Sequence, residues 1–461
     1  MTSRERADVV VIGLGPGGEE VAGRLAEAGL TVVGIEKELV GGECPYWGCI
    51  PSKMMIRAGN VLAEARRVDQ LAGSATVTPD WAPVARRIRE ATDSWDDTVA
   101  VDRFVGKGGR FVRGDGVVCG LGRVRVGDRE IEASQGIVVA TGTVPVIPPI
   151  PGLKELPYWT NRDAIATEEV PESLLVLGGG AIGLELAQMF ARFGSRVTVV
   201  EGTSRIVGME EPEASEMIAG VLGREGVEVR TGYAVTGART NGPSLALQLA
   251  DGSEITGQRL LVATGRRTAI TSLGLDALGL NRNARFLDVD EHMRAGAGVW
   301  AVGDVTGKGL FTHMAMYQAG IAVNDILGRK GHVADYRAVP RVTFTDPEIG
   351  SVGLTAEAAA RQGVRVRTGY ADLASSARGW IHKAGNEGFI KLIEDADRNV
   401  LVGATSGGPS GGEVLGLLAL AVQARVPVDD LSSMILAYPT FHRAIGDALS
   451  DLRSQGPGSP T

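Results

Sequence analysis

Cysteine is scarce: three residues in a chain of 461, two of them five positions apart, cannot build a structural disulfide framework in a protein of this size. A reactive pair in a reducing compartment is the expectation instead. Positive charge is also short, with 47 Lys and Arg against 55 Asp and Glu and a net charge of -8. That excludes the basic footprint required by nucleic acid or an anionic membrane surface. No apolar run approaches the roughly 20 residues of a membrane span, and Met1 to Ala7 is polar and leads directly into an apolar strand. A cytoplasmic location is therefore expected. What the chain holds in excess is glycine, 65 residues where roughly 7% is usual. Tight turns must account for it. Apolar residues at 44% and charged residues at 22% are ordinary for a globular protein, and the length predicts two to four domains.

The glycines fall into a repeated pattern. Asp8-Val-Val-Val-Ile is an apolar β-branched run that breaks at Gly13, and Glu19 to Ala28 continues with helical spacing. A second strand, Thr31 to Ile35, ends at Glu36. The same design returns at Ser173 to Leu177, a turn from Gly178 to Gly183, a helix from Leu184 to Phe193, and a strand from Arg196 ending at Glu201. In the first loop Gly13, Gly15 and Gly18 leave out the side chains that would keep a pyrophosphate from the backbone at a helix N-terminus; Gly178, Gly180 and Gly183 repeat the arrangement. Glu36, 23 residues after Gly13, and Glu201 are placed to accept from ribose hydroxyls. Two such units imply two dinucleotides. An acidic Glu201 favours the free 2'-hydroxyl of NADH over the phosphate of NADPH, although Arg205 nearby keeps NADPH open.

Each unit is followed by a strand ending in Ala-Thr-Gly, Ile137 to Gly142 and Leu260 to Gly265. The proline-rich stretch Pro145 to Pro157 marks a boundary near residue 150. After Arg341 short strands mixed with helices read as a separate α+β domain, and the tail Ser454 to Thr461 as disorder. The predicted fold is α/β: a first dinucleotide domain over 1–150, a second over 151–267, a central segment 268–337 completing the first, and a C-terminal α+β domain over 338–461.

Cys44 and Cys49 stand in Gly41-Gly-Glu-Cys44-Pro-Tyr-Trp-Gly-Cys49-Ile-Pro-Ser-Lys53. Five residues of regular helix rise about 7.5 Å, beyond the roughly 7 Å Cα limit for a disulfide, so a bonded pair requires distorted backbone. Pro45 and Gly48 make that distortion plausible. Cys119, alone in a strand-like stretch, reads as a core residue.

With both glycine loops, the Cys-x4-Cys-Ile-Pro-Ser-Lys segment, both Ala-Thr-Gly strands, Ala301-Val-Gly-Asp304 and Phe344-Thr-Asp-Pro-Glu-Ile, the chain resembles the class I flavoprotein disulfide reductases over nearly its whole length. This is the family of dihydrolipoamide dehydrogenase, glutathione reductase and mercuric reductase. The resemblance implies FAD on the first unit and NAD(P)H on the second, with Lys37, Gly42, Thr141, Gly142 and Gly265 among the cofactor contacts and Asp304 at the FAD ribitol. It implies a Lys53–Glu185 ion pair beside flavin N5, where the bland reading is a solvated surface pair. It makes Cys49 the thiol facing the flavin and Cys44 the one exchanging with substrate, and it implies a homodimer with the active site at the subunit interface.

The chain departs from the pattern near its end. The family motif His-Pro-Thr-x-x-Glu is replaced by Tyr438-Pro-Thr-Phe-His442-Arg443, which removes the acid–base histidine and its orienting glutamate. A tyrosine of pKa near 10 accepts protons poorly at neutral pH, and losing a positioned base costs typically 10²- to 10⁴-fold. His442 could substitute, or simply pack. Mercuric reductases carry tyrosine near this point, but the C-terminal cysteine pair they use is missing. Tyr46 and Trp47 between the cysteines offer flat faces to a quinone-like acceptor, or pack. A reductase of a quinone, a small disulfide or a metal or oxidant species is the leading expectation, with no resident metal. Dihydrolipoamide dehydrogenase, a biosynthetic flavoprotein dehydrogenase or oxidase, and a non-enzymatic redox sensor are the alternatives.

Overall fold

A computed structural model describes residues 4–454. The chain divides into two compact units. One gathers the chain up to Ser52 with Arg86–Val146 and Gly265–Asp335; the other gathers Lys53–Ala85, Ile147–Thr264 and the chain from Tyr336 onward.

The first unit is built on an eight-stranded sheet. Its main path runs Arg294–Gly296, Val299–Ala301, Arg129–Val139, Arg4–Ile12, Val32–Glu36, Arg110–Arg113, and the five strands from Val299–Ala301 to Arg110–Arg113 are parallel. Val9, Val10 and Val11 are fully buried in succession, as a parallel strand covered on both faces requires. The helix Pro16–Glu27 buries Val21, Ala22 and Leu25. It starts three residues before the predicted Glu19, because Gly15 supplies the extended cap and Pro16 arrives with its φ preset for a first helical turn. The strand before the first Ala-Thr-Gly is longer than expected and stops at Val139; Gly142, at φ 61, turns the chain away. Cys119 lies on the strand Val117–Gly120, half-buried beside fully buried Val118, so the core position predicted for it belongs to its neighbour.

In the second unit Glu228–Thr231, Arg196–Glu201, Ser173–Leu177 and Arg259–Val262 form a four-stranded parallel sheet. The helix Ala181–Arg192 that follows the central strand is almost wholly buried. A five-stranded antiparallel sheet, ordered Pro340–Thr343, Glu348–Gly353, Val400–Gly408, Phe389–Asp395, Val366–Asp372, closes the unit. Leu415 and Leu418 of the helix Gly411–Ala424 and Ala448 and Leu452 of Arg443–Ser454 share its core. The α/β class with two doubly wound sheets and a C-terminal α+β layer is thus the architecture observed. Ser454 closes a helix rather than opening a disordered tail, and 455–461 lie outside the described residues. No described helix is long and apolar enough to cross a membrane.

Candidate active site

The cysteine segment breaks where its sequence is weakest. Gly41 and Gly42 take φ values of 106 and 66, a four-residue helix Glu43–Tyr46 carries Cys44, and Trp47 leaves helical geometry at φ -132. Cys49 then opens the separate helix Cys49–Arg66. The distortion expected from Pro45 and Gly48 is therefore a full interruption. Cys49 gains the N-terminal position where the helix dipole favours a thiolate. Its Sγ lies 3.4 Å from Thr312 Oγ1, at the start of the helix Thr312–Ile326. Beside Cys44 opens a cleft of about 470 Å³, lined also by Tyr46, Val99, Arg103, Lys107 and Met316. Burial pushes the Tyr46 phenol up from its ordinary value, and Asp97 and Asp93 add to the shift.

Lys53 stands one helical turn after Cys49. Its Nζ donates to Glu185 Oε2 at 2.7 Å, and Glu185 is buried, so the surface-pair reading does not hold. The other carboxylate oxygen accepts the Phe344 backbone N–H at 2.8 Å, while Lys53 Nζ sits 4.7 Å from the Phe344 ring centroid. The Phe344 segment is itself fastened: Gln188 exchanges two hydrogen bonds with the Asp346 backbone, and buried Arg192 pairs with Asp346 and Glu225. Sequence reasoning noted this motif as a family pattern but assigned Phe344 no contact. Nothing local in the sequence joins positions 185 and 344.

The two glycine loops are open cradles. A Cβ at Gly13 would meet Ala140 O at 2.5 Å, and one at Gly18 would meet Gly13 O at 1.9 Å, so neither position admits a side chain. Gly15 caps the helix with no side-chain hydrogen bond, which leaves its first N–H groups without a side-chain cap. Thr141 Oγ1, beside this loop, is buried without a hydrogen-bond partner. Both features fit a phosphate-bearing group. Gly180 caps the helix Ala181–Arg192 in the same way with open space around it, and a Cβ at Gly183 would meet Gly178 O at 2.2 Å.

The carboxylates at the strand ends reach back to these loops. Glu36 accepts from the Leu14 N–H at 2.8 Å, and Glu201 from the Gly179 N–H at 2.7 Å and from Thr203. Arg205 is engaged elsewhere, donating to Ser215 Oγ and to the carbonyls of Val207 and Gly208. Lys37 is exposed and lies 3.7 Å from Asp115. Gly265 takes φ 112 with open space beside it. Asp304 accepts from the Thr143 hydroxyl at 2.8 Å, and Arg266 donates to that same hydroxyl oxygen. Burial pushes the Asp304 carboxyl up, against the opposing pull of Thr143 and Arg266. Sequence reasoning missed Thr143 and Arg266, although each directly follows an Ala-Thr-Gly.

Near the C-terminus Tyr438 is 73% exposed and precedes Pro439 through a cis bond. His442 is half-buried, and Arg443 pairs with Asp447 on its own helix at 2.8 Å. Among the described residues no cluster of three His, Cys, Asp or Glu could hold a metal ion.

A family model described as pyridine nucleotide-disulphide oxidoreductase matches residues 7–319, and one described as the dimerisation domain of these proteins matches 339–449. The chain belongs to this family. It is a flavoenzyme of FAD and NAD(P)H with a C-terminal dimerisation domain, as its motifs implied. Among curated relatives, dihydrolipoyl dehydrogenase of Chlorobaculum tepidum is 34% identical over 97% of this chain and 98% of its own length. A mercuric reductase of Staphylococcus aureus is 32% identical over 94% of this chain and 80% of its own. Among solved structures, the HOCl-induced flavoprotein disulfide reductase RclA from Escherichia coli, as a Cu(II) complex, superposes with a TM-score of 0.85 at 26% identity, covering 97% of this chain and 99% of that one.

Proposed function

We propose that this oxidoreductase draws electrons from NADH and delivers them through Cys49 and Cys44 to a small non-standard acceptor: a quinone, a small disulfide, or a metal or oxidant species. The observation that carries the reading is the terminal motif. Tyr438 stands where the family places its acid–base histidine, and Arg443 is tied to Asp447 instead of orienting a base. A dithiol substrate such as dihydrolipoamide must lose thiol protons to a base, whereas a quinone or a metal ion draws electrons without one. Copper enters the set of acceptors to test because RclA, 26% identical, has been solved as a Cu(II) complex.

Bound FAD supplies the two-electron relay between nicotinamide and thiols. In this reading residues 1–150 with 268–337 hold FAD, 151–267 hold the nicotinamide, and 338–461 form a homodimer whose interface adjoins the active site. Gly13, Gly15, Gly18 and Gly42 admit the FAD pyrophosphate, Thr141 and Gly142 line it, and Glu36 and Lys37 take the adenosine end. Asp304 accepts from the ribitol. Gly178, Gly180, Gly183 and Gly265 admit the nicotinamide dinucleotide. Glu201 accepts from its ribose, and because Arg205 is already committed to Ser215 and two carbonyls, a 2'-phosphate lacks a cation. Lys53, held by Glu185, places a positive charge where reducing equivalents accumulate. Cys49, at a helix N-terminus, is the flavin-side thiol, and Cys44, on the cleft, exchanges with the acceptor. Tyr438 and His442 remain the groups able to shuttle protons at the acceptor.

The test is an acceptor panel of quinones, lipoamide, other small disulfides and Cu(II), run with NADH and with NADPH on the parent, Cys44→Ser and Cys49→Ser. Turnover of a quinone, disulfide or copper that vanishes in both variants and exceeds that of lipoamide supports the proposal. Preference for lipoamide, or full activity in both variants, overturns it.

A further inference from the structure

Three consecutive residues without glycine among them, Asp93, Ser94 and Trp95, adopt φ values of 48, 53 and 62. L-residues enter this left-handed region singly and at a cost, and a run persists only where the surroundings fix it. Here they do. The turn swings Trp95 onto Trp47, with ring centroids 5.2 Å apart and planes 17° from parallel. Trp95 Nε1–H donates to the Tyr46 carbonyl at 3.3 Å. On one side buried Thr92 anchors the turn by donating to the Ile88 carbonyl at 2.9 Å. On the other, buried Asp97 accepts the Val40 N–H at 2.7 Å and pairs with Arg113 at 2.5 Å. One short segment thus grips the stretch that carries Cys44 at both ends, at Val40 before it and at Tyr46 and Trp47 after it.

We propose that the segment 92–97 is a clasp on the cysteine loop, and that Trp95 is the positioning residue that sets how readily the Cys44–Cys49 pair is reduced; this rests on the reading that the pair carries electrons. Reduction breaks the Sγ–Sγ bond, takes up two electrons and two protons, and leaves two thiols; NADH supplies the electrons through FAD. The reverse closure depends on the effective concentration of one sulfur at the other. The loop between them is broken at Trp47 and contains Gly48, so by itself it samples many conformations. In the structure both cysteines are thiols within the clasped loop, and a stacked tryptophan that removes the loop's other conformations favours closure, as any preorganised intramolecular pair does. The strain at residues 93–95 is maintained by this grip.

The holoenzyme is equilibrated in dithiothreitol redox buffers, and the reduced fraction of the pair is counted by alkylation and mass spectrometry. Trp95→Ala is expected to shift the thiol–disulfide equilibrium at least tenfold towards the dithiol, about 30 mV for a two-electron couple. Trp95→Phe, which keeps a ring for stacking, is expected to stay within about twofold of the parent. A parental equilibrium in Trp95→Ala with full flavin content overturns the clasp. If that variant holds no flavin, Trp95→Leu is measured instead, with the same tenfold shift expected and a parental value overturning the proposal. Acceptor turnover by Cys44→Ser, run in parallel, reports on the cysteine reading alone, so the two failures are distinguishable.

Discussion

Glu185 shows what a single residue contributes when it is both buried and charged. Its two oxygens are divided between Lys53 Nζ and the Phe344 N–H, and removing it strands an ammonium that keeps only 35% of its exposure. Breaking a buried pair costs about 3–5 kcal/mol; the exposed face of Lys53 brings the expectation for Glu185→Ala down to about 2 kcal/mol. Denaturant unfolding should show that loss, and stopped-flow mixing with NADH should show flavin reduction slowed about tenfold or more. Glu185→Gln keeps an acceptor for Phe344 and should lose less than about 1 kcal/mol while remaining slow. Equal rates in parent and both variants would place Lys53–Glu185 outside the electron path. At this scale the sequence offered Lys53, Glu185 and the cysteines by motif, yet the Phe344 contact and the Trp47–Trp95 stack join positions far apart in the chain, and periodicity carries no information about such pairs.

At the scale of elements, the two glycine loops have the same geometry and different expected consequences. A Cβ at Gly18 collides with Gly13 O at 1.9 Å and one at Gly183 with Gly178 O at 2.2 Å, and in both cases the atom struck is backbone and cannot step aside. Gly18→Ala should purify with less than about half the parental flavin content. Gly183→Ala should keep its flavin and raise the KM for NADH about tenfold or more. The reverse pattern would exchange the two cofactor assignments. Strand and helix types were legible because apolar runs and 3.6-residue spacing are local. Their ends were less so: Pro16 drew one helix start earlier, and the cysteine segment became two helices because Trp47 and Gly48 interrupt it.

For the whole molecule the relevant surface belongs to the dimerisation domain. Ile435 is fully exposed, Trp380 78% and Tyr438 73% exposed, all within the stretch 339–449 matched as a dimerisation domain. Aromatic anchors such as Trp and Tyr carry a large share of an interface's energy, typically about 2 kcal/mol or more each. Light scattering should give a dimer mass for the parent and a monomer mass for Trp380→Glu combined with Ile435→Glu, with acceptor turnover falling alongside. A monomeric parent, or a dimeric double variant, would remove these residues from the interface.

The sequence by itself determined the two dinucleotide units, the Cys-x4-Cys segment, the family and the loss of the terminal histidine, because each is written in residue types at short, fixed spacing. Tertiary structure alone decided that Glu185 is buried against Lys53, that Thr141 keeps an unmet hydroxyl beside the first glycine loop, that Arg205 is already committed, and that a left-handed turn grips the cysteine loop. Burial, hydrogen-bond satisfaction and ring stacking are properties of neighbours in space, and folding chooses those neighbours from residues that the chain order keeps far apart.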